Sequence, residues 1–134
     1  MADWNAKIIE EFRDNGGVVG GVFAGKPILL LHHTGAKTGK RRVNPLMYQK
    51  LDGGYAIFAS KAGASSHPDW YHNVLANPDV DIEVGTQRLE LKARKADTAE
   101  REPIWTKQKD DFPQFADYEA STDRTIPVVI LEPR

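Results

Sequence analysis

Residues 27–51 read PILLLHHTGAKTGKRRVNPLMYQKL, a short basic turn between two stretches with strand character. The stretch 27–33 begins with a continuous apolar run, which predicts a strand that is buried on both faces. The stretch 43–50 alternates in polarity, which predicts a second strand. The turn between them carries four cations within six residues: Lys37, Lys40, Arg41 and Arg42. We therefore expect the fold to be organised around two strands joined by this basic turn.

The basic turn has two interpretations. Gly35 and Gly39 flank Lys37, so the backbone can turn sharply and present N–H groups beside cationic side chains, a combination that binds multiply charged anions. Charged turns are also commonly solvated and bind nothing. A nucleotide-binding P-loop is excluded, because the glycines are one residue too close and Arg41 stands where Ser or Thr must reach Mg²⁺.

Composition narrows the class of protein. The 134 residues carry 18 basic and 19 acidic side chains and no cysteine. We expect a single domain over residues 1–134, without the strongly basic surface of a nucleic-acid-binding protein. The missing cysteines exclude disulfides and thiolate metal sites. No apolar run is long enough to span a membrane and no secretory signal is evident, so we expect a cytoplasmic protein.

Residues 1–15 are predicted to form an amphipathic helix with Asp3 as its N-cap. Its apolar positions recur at helical spacing and are Trp4, Ile8, Ile9 and Phe12. The polar face has four acidic against two basic side chains, the wrong sign for anionic lipid, so we expect the helix to pack on its own domain. The glycine-rich stretch 16–25 is expected to form a short hairpin or a flap over a pocket.

The remaining patterns predict four more strands, at 55–60, 80–84, 88–95 and 126–131. They also predict a helix over 67–76, capped by Ser65 or Ser66, and another over 98–111. Six strands and three helices, with mostly hairpin-length connections, predict an α+β domain around a largely antiparallel barrel or curled sheet. The stretch 61–66 places a lysine among small residues before a helix and is a second candidate anion-binding segment.

The histidines do not have the spacing of a metal site. His32 and His33 are adjacent on a strand and must face opposite sides, and His67 and His72 are off-register for one helical face. Nucleophilic hydrolysis is also not indicated, because no serine lies in a G-x-S-x-G turn.

Four blocks in a fixed order carry a resemblance: TGAKTGKRRVNPL (34–46), ASKAGA (59–64), HPDWYHNVLANPDV (67–80) and STDRTIPVVILEP (121–133). Over residues 10–133 the chain resembles the deazaflavin (F420)-dependent nitroreductase and quinone reductase family. Members are small actinobacterial oxidoreductases with a split β-barrel of the FMN-binding type, and they use coenzyme F420.

The resemblance implies specific roles for individual residues. The positions that grip the coenzyme's phosphate and acidic tail match Lys37, Thr38, Arg41 and Arg42. Further cofactor contacts match Val43, Asn44, Pro45, Leu46, Met47 and Tyr48, then Ala59, Ser60, Lys61, Gly63 and Ala64, and on the following helix Trp70 and Asn73. The substrate-facing aromatic positions of some members match Phe112, Phe115 and Tyr118.

The reaction implied by the resemblance is hydride transfer from the reduced deazaflavin to a quinone, enone or nitroaromatic acceptor. Ser60 and Tyr118 are the candidate catalytic residues, as proton donors to the reduced acceptor, with solvent as the alternative donor. Phe112 and Phe115 stand where certain relatives have tyrosine, so quinone-type reduction is expected in preference to nitroimidazole reduction.

Two alternatives to an F420-dependent reductase remain. One is an FMN-binding oxidoreductase with the same barrel, although two lysine-bearing anion segments exceed what one phosphate needs. The other is a carrier that binds the deazaflavin without turnover. The expected location is the cytoplasm, with the inner face of the plasma membrane as the alternative.

Overall fold

Six antiparallel strands close into a barrel in the order β1–β2–β3–β6–β5–β4. The computed structural model describes residues 2–134, and the side chains of 5–134 except residue 22. The strands are β1 (Ile28–Thr34), β2 (Arg41–Leu51), β3 (Gly54–Phe58), β4 (Asp79–Val84), β5 (Gln87–Lys95) and β6 (Val128–Pro133). The helices are α1 (Ala2–Asp14), α2 (Asp69–Ala76), α3 (Thr98–Asp111) and α4 (Gln114–Ala120).

Strand β1 is buried on both faces, as the apolar run predicted. It pairs with β2 on one side and β4 on the other, with Leu31 opposite both Asn44 and Ile82. Because strand side chains alternate, Leu30 packs in the core beneath α1, α3 and α4, while Leu29 packs in a second core that includes α2. The strand that precedes the basic turn is thereby fixed from both sides.

Helix α1 packs on its own domain, as predicted. Ile8 and Phe12 are buried in the first core. Arg13 forms an ion pair with Glu83 on β4 at 2.7 Å, and Glu83 also bonds His32. The hydrogen bond from Arg13 lowers the pKa of Glu83 to about 2. The side chains of Asp3 and Trp4, for which the sequence predicted a cap and an apolar contact, lie outside the described part.

Two local predictions are wrong: the hairpin alternative for residues 16–25 and the serine cap of α2. Residues 16–25 form no hairpin in the described chain and contain one turn of 3₁₀ helix, Gly21–Phe23. Gly17 lies so close to the β4–β5 turn that an added Cβ would be 2.6 Å from the Cα of Gly85, so the segment packs there instead of pairing with itself. Helix α2 begins after Pro68 without a side-chain cap, so neither Ser65 nor Ser66 caps it.

A fourth helix follows α3, where the sequence predicted none. Pro113 starts α4, and Phe115 is only 4% exposed in the first core. Helix α3 has the predicted bounds, but it begins with a capping box between Asp97 and Glu100 that the pattern did not reveal. No helix in the described residues combines the length and the apolar character that crossing a membrane requires.

Candidate active site

The basic turn and α2 border an open cavity of about 590 Å³, which we call the loop cavity. It is lined by Gly35, Ala36, Lys37, Thr38, Arg42, Asp69, His72 and Asn73. The turn closes through hydrogen bonds from the Gly35 N–H to the Lys40 carbonyl and from the Gly39 N–H to the Gly35 carbonyl. A Cβ at Gly35 would lie 2.6 Å from the Thr38 hydroxyl oxygen, so a larger residue there would require the Thr38 side chain to rotate.

The two arginines of the turn face different cavities. Arg42 lines the loop cavity together with Lys37. Arg41, the next residue on β2, donates to the Thr34 hydroxyl and forms an ion pair with Asp81 at 3.5 Å. This separation follows from the alternation of side chains along a strand. The structure therefore brings together three of the four predicted turn residues and leaves Arg41 on the other side.

A buried hydrogen-bond chain runs from the turn to β2. The Ala36 N–H can only donate, so it fixes the Asn73 amide with Oδ1 as its acceptor at 2.8 Å. The Asn73 Nδ2 then donates to His33 Nδ1 at 3.1 Å, which leaves the ring proton on Nε2. His33 Nε2 donates to Asn44 Oδ1 at 2.6 Å. The chain therefore turns the Asn44 Nδ2 donor away from His33.

His33 is neutral in this arrangement. The residue is 1% exposed, and burial lowers the pKa of its imidazole. A protonated ring would direct an N–H at the Asn73 amide donor and break the chain. Sequence reasoning placed His32 and His33 on opposite faces, which is confirmed, but it assigned His33 no role in the site.

This chain gives a testable pH dependence. Unfolded histidine takes up its proton near pH 6.5, about its ordinary pKa, whereas folded His33 stays neutral to lower pH. The unfolded state then binds more protons below that pH, so the free energy of unfolding falls as pH drops below about 6.5. We expect His33→Gln to be less stable at pH 8 by about 1–3 kcal/mol and to show a shallower loss below pH 6.5. Urea unfolding between pH 5 and 8 measures both, and an unchanged slope would contradict the assignment.

A second cavity of about 290 Å³ lies between β2, the 59–64 turn, α2 and α4, and we call it the aromatic cavity. Nine of the predicted site residues line it: Asn44, Pro45, Leu46, Met47, Ser60, Lys61, Trp70, Phe115 and Tyr118. Five residues without an assigned role complete the lining: Phe23, Phe58, Ala62, Pro68 and Gln114. Both candidate proton donors, Ser60 and Tyr118, therefore lie at the same cavity.

The Tyr118 hydroxyl is oriented by residues that sequence reasoning missed. Lys26 Nζ donates to Gln114 Oε1 at 2.9 Å, which fixes the orientation of that amide. Gln114 Nε2 then donates to the Tyr118 hydroxyl oxygen at 3.2 Å. The hydroxyl proton of Tyr118 is consequently free to be donated elsewhere. The i to i+4 spacing of Gln114 and Tyr118 was the available signal, but only once the helix was known.

The remaining predicted residues do not line either cavity. Val43 and Phe112 pack against the first core, and Tyr48 packs edge-on against Tyr55. Ala59 is fully buried in the second core, and Gly63 is buried against α4. Ala64 accepts a hydrogen bond from Arg124. Trp70 and Phe115 are about 5% exposed, so they present little more than an edge to the aromatic cavity.

Comparison with known proteins identifies relatives of this chain. A sequence model of the F420H(2)-dependent quinone reductase family matches residues 4–133. An F420H(2)-dependent quinone reductase of Mycobacterium tuberculosis is 38% identical over 127 residues, 92% of this chain and 85% of the relative. The solved structure of the F420-H2 dependent reductase FDR-A is 46% identical with a TM-score of 0.73, covering 79% of this chain and 94% of that one.

A second solved structure, described as a domain-swapped dimer, is 41% identical with a TM-score of 0.74 and covers 98% of both chains. These relatives confirm the split β-barrel, which the sequence resemblance implied. The chain belongs to the F420H(2)-dependent quinone reductase family.

Proposed function

We propose that this protein transfers hydride from reduced F420 to a quinone-like acceptor, and that its two cavities bind different parts of the ligands. The loop cavity binds the phosphate and acidic tail of the coenzyme through Lys37, Thr38 and Arg42. The aromatic cavity holds the flat ring and the acceptor. When bound, the reduced deazaflavin supplies the hydride.

One observation carries the proposal: strand β2 leads from one cavity to the other. Arg42, Asn44 and Leu46 are spaced two residues apart and therefore share one face of the strand. Arg42 lines the loop cavity, while Asn44 and Leu46 line the aromatic cavity. A ligand that is anionic at one end and flat and apolar at the other fits this order.

The residues present fit F420 better than FMN. Lys37 and Arg42 are exposed and form no ion pair in the described part of the chain, so both are available to an anionic tail. Lys61 adds a third cation, in the lining of the aromatic cavity. FMN has one phosphate and no acidic tail, and it would leave one of these segments without an anionic partner.

Separate titrations with F420 and FMN test the cofactor assignment. We expect F420 to bind and FMN to bind far more weakly, and tight FMN binding without F420 binding would overturn the assignment. Turnover is tested by mixing the protein and reduced F420 with menadione and following the coenzyme absorbance. A rate no higher than that in buffer across quinones, enones and nitroaromatics would favour the non-catalytic carrier.

The proton that accompanies the hydride is proposed to come from Tyr118 or Ser60. We expect Tyr118→Phe and Ser60→Ala each to lower the rate of acceptor reduction by about tenfold. This effect is smaller than is usual for the loss of a general acid, because solvent can donate the proton instead. Single-turnover absorbance measurements at saturating coenzyme give the rate. Gln49→Ala, which alters a buried polar side chain on β2 that lines neither cavity, is the control for nonspecific damage. Wild-type rates in both active-site variants would assign the proton to solvent.

Quinones are proposed as acceptors in preference to nitroimidazoles. Phe115 carries no hydroxyl and is 4% exposed, and Phe112 lies outside the aromatic cavity. Neither position therefore places a hydroxyl donor at the wall of the aromatic cavity. Competition between menadione and a nitroimidazole for the same reduced coenzyme measures this preference.

A further inference from the structure

Arg124 makes an unusual set of contacts just before β6. Its Nε donates to the Ala64 carbonyl at 2.9 Å, Nη1 to the Ala59 carbonyl at 3.1 Å, and Nη2 to the Ser60 carbonyl at 2.8 Å. Nη1 also donates to His67 Nδ1 at 2.9 Å. No carboxylate pairs with Arg124 within the described residues. One guanidinium thus binds three carbonyl groups of a single turn, 59–64.

The turn that Arg124 holds is strained. Lys61 and Ala62 both have positive φ, +46° and +52°, although neither is glycine. Such residues persist only where their surroundings enforce the conformation, and they concentrate at functional sites. The planar fork of an arginine can bind several acceptors at once in fixed directions, which a lysine cannot.

The strain leaves backbone donors free. The N–H groups of Ser60, Lys61 and Ala62 have no acceptor in the described structure, and all three residues line the aromatic cavity. Ser60 is in the right-handed helical region and Lys61 in the left-handed one. When one residue has right-handed and the next has left-handed helical backbone angles, the neighbouring N–H groups converge into a concavity that binds anionic or electron-rich oxygen.

We propose that Arg124 is a positioning residue that holds this turn so that the N–H groups of residues 60–62 can bind an oxygen atom of the ring or of the acceptor. The proposal rests on the proposed function for the identity of that ligand. The ligand chemistry is a carbonyl oxygen that gains negative charge during reduction, a species that preorganised donors stabilise. The contact of Arg124 is with the backbone, so its effect on the ligand is indirect.

The first test needs no coenzyme. We expect the backbone amide resonances of residues 60–62 in the cofactor-free protein to shift or broaden in Arg124→Ala, and guanidinium chloride at low millimolar concentration to restore them. Ammonium chloride at the same ionic strength should not, because it lacks the planar fork. Folded Arg124→Ala with wild-type amide resonances would overturn the proposal. If Arg124→Ala does not fold, Arg124→Lys provides the same comparison.

The matched control is Arg101→Ala. Arg101 is half-buried like Arg124 and donates to a backbone carbonyl, that of Ile126 at 3.0 Å. It lies over Trp105, pairs with Glu102 and does not line the aromatic cavity. This variant should lose stability without changing the amide resonances of 60–62. Equal changes in both variants would reduce the Arg124 effect to a general loss of structure and overturn the proposal.

The second test identifies the source of the oxygen. If the ring provides it, Arg124→Ala should weaken F420 binding about tenfold with no acceptor present, the loss of about one hydrogen bond. If the acceptor provides it, F420 binding should hold and the kcat/KM for menadione should fall, with guanidinium rescuing either defect. Wild-type F420 binding and turnover in folded Arg124→Ala would overturn the proposal. Failure of the wild-type protein to bind F420 would instead defeat the proposed function and leave the amide test standing.

Discussion

Replacing Lys37 and Arg42 together by alanine is expected to weaken F420 binding by on the order of 100-fold or more. Each lost charge-assisted contact is worth about 1–3 kcal/mol, and about 1.4 kcal/mol corresponds to a tenfold change in affinity. Both side chains are exposed and line the loop cavity. Neither forms an ion pair within the described chain. The free energy of unfolding of the double variant should therefore lie within about 0.5 kcal/mol of the wild-type value.

Two comparisons test whether the loss of F420 affinity comes from the loop cavity: its dependence on ionic strength and the variant Arg41→Ala. Binding of F420 to wild type should weaken as ionic strength rises, because exposed charges are screened beyond about 8–10 Å. The double variant should show a smaller salt dependence. Arg41→Ala removes the same charge at the next residue, but Arg41 is paired with Asp81 and faces another cavity. Its effect on F420 affinity should therefore be small, and unchanged affinity in the double variant would reject the loop cavity as the tail site.

Local sequence patterns were enough to predict the strands. The apolar run in β1 and the alternation in β2 each report burial directly, and all six predicted strands are present within a few residues of their expected bounds. The basic turn was also predicted, because glycines and cations are local signals. What the pattern could not show was that Arg41 and Arg42 diverge, since that depends on where β2 begins.

Helix α4 was missed because its sequence lacks a long apolar stripe. Only Phe115 of its seven residues is buried, so the helix is stabilised by one deep contact and not by a continuous face. Phe115 and Tyr118, which the resemblance implied as substrate-facing positions, nonetheless both line the aromatic cavity. Only the three-dimensional structure shows that Phe115 is mainly a core residue and Tyr118 mainly part of the cavity wall.

The residues that organise the site were the hardest to predict. His33 joins Asn44 to Asn73, which is 40 residues away, and Arg124 binds carbonyl groups about 60 residues earlier in the chain. Neither residue stands in a spacing that signals a role. Most of their partners are backbone groups or amides, which have no sequence signature, so only the closed barrel reveals them.

Gly63→Ala is expected to destabilise the protein by about 2–5 kcal/mol, the sum of a left-handed backbone penalty and a packing collision. Gly63 has φ +82°, and an added Cβ would lie 3.0 Å from the Cβ of Ser121 and 3.1 Å from both Cα and the carbonyl oxygen of Tyr118. Two of these three atoms belong to the backbone of α4, which cannot move as a side chain can. The 59–64 turn would be displaced from α4, and with it Ser60 from Tyr118.

Gly53→Ala separates the two contributions. Gly53 has nearly the same φ, +78°, but nothing lies within 4 Å of its added Cβ. Its loss on urea unfolding should be about 1–2 kcal/mol, the backbone penalty alone, and its menadione reduction should equal wild type. Gly63→Ala should lose more stability and also reduce turnover, because Ser60 and Tyr118 no longer face the same cavity. Equal losses in the two variants, with wild-type turnover in both, would mean that the turn and α4 are not held in a fixed relation. The two sides of the aromatic cavity would then have to be positioned by the ligand itself.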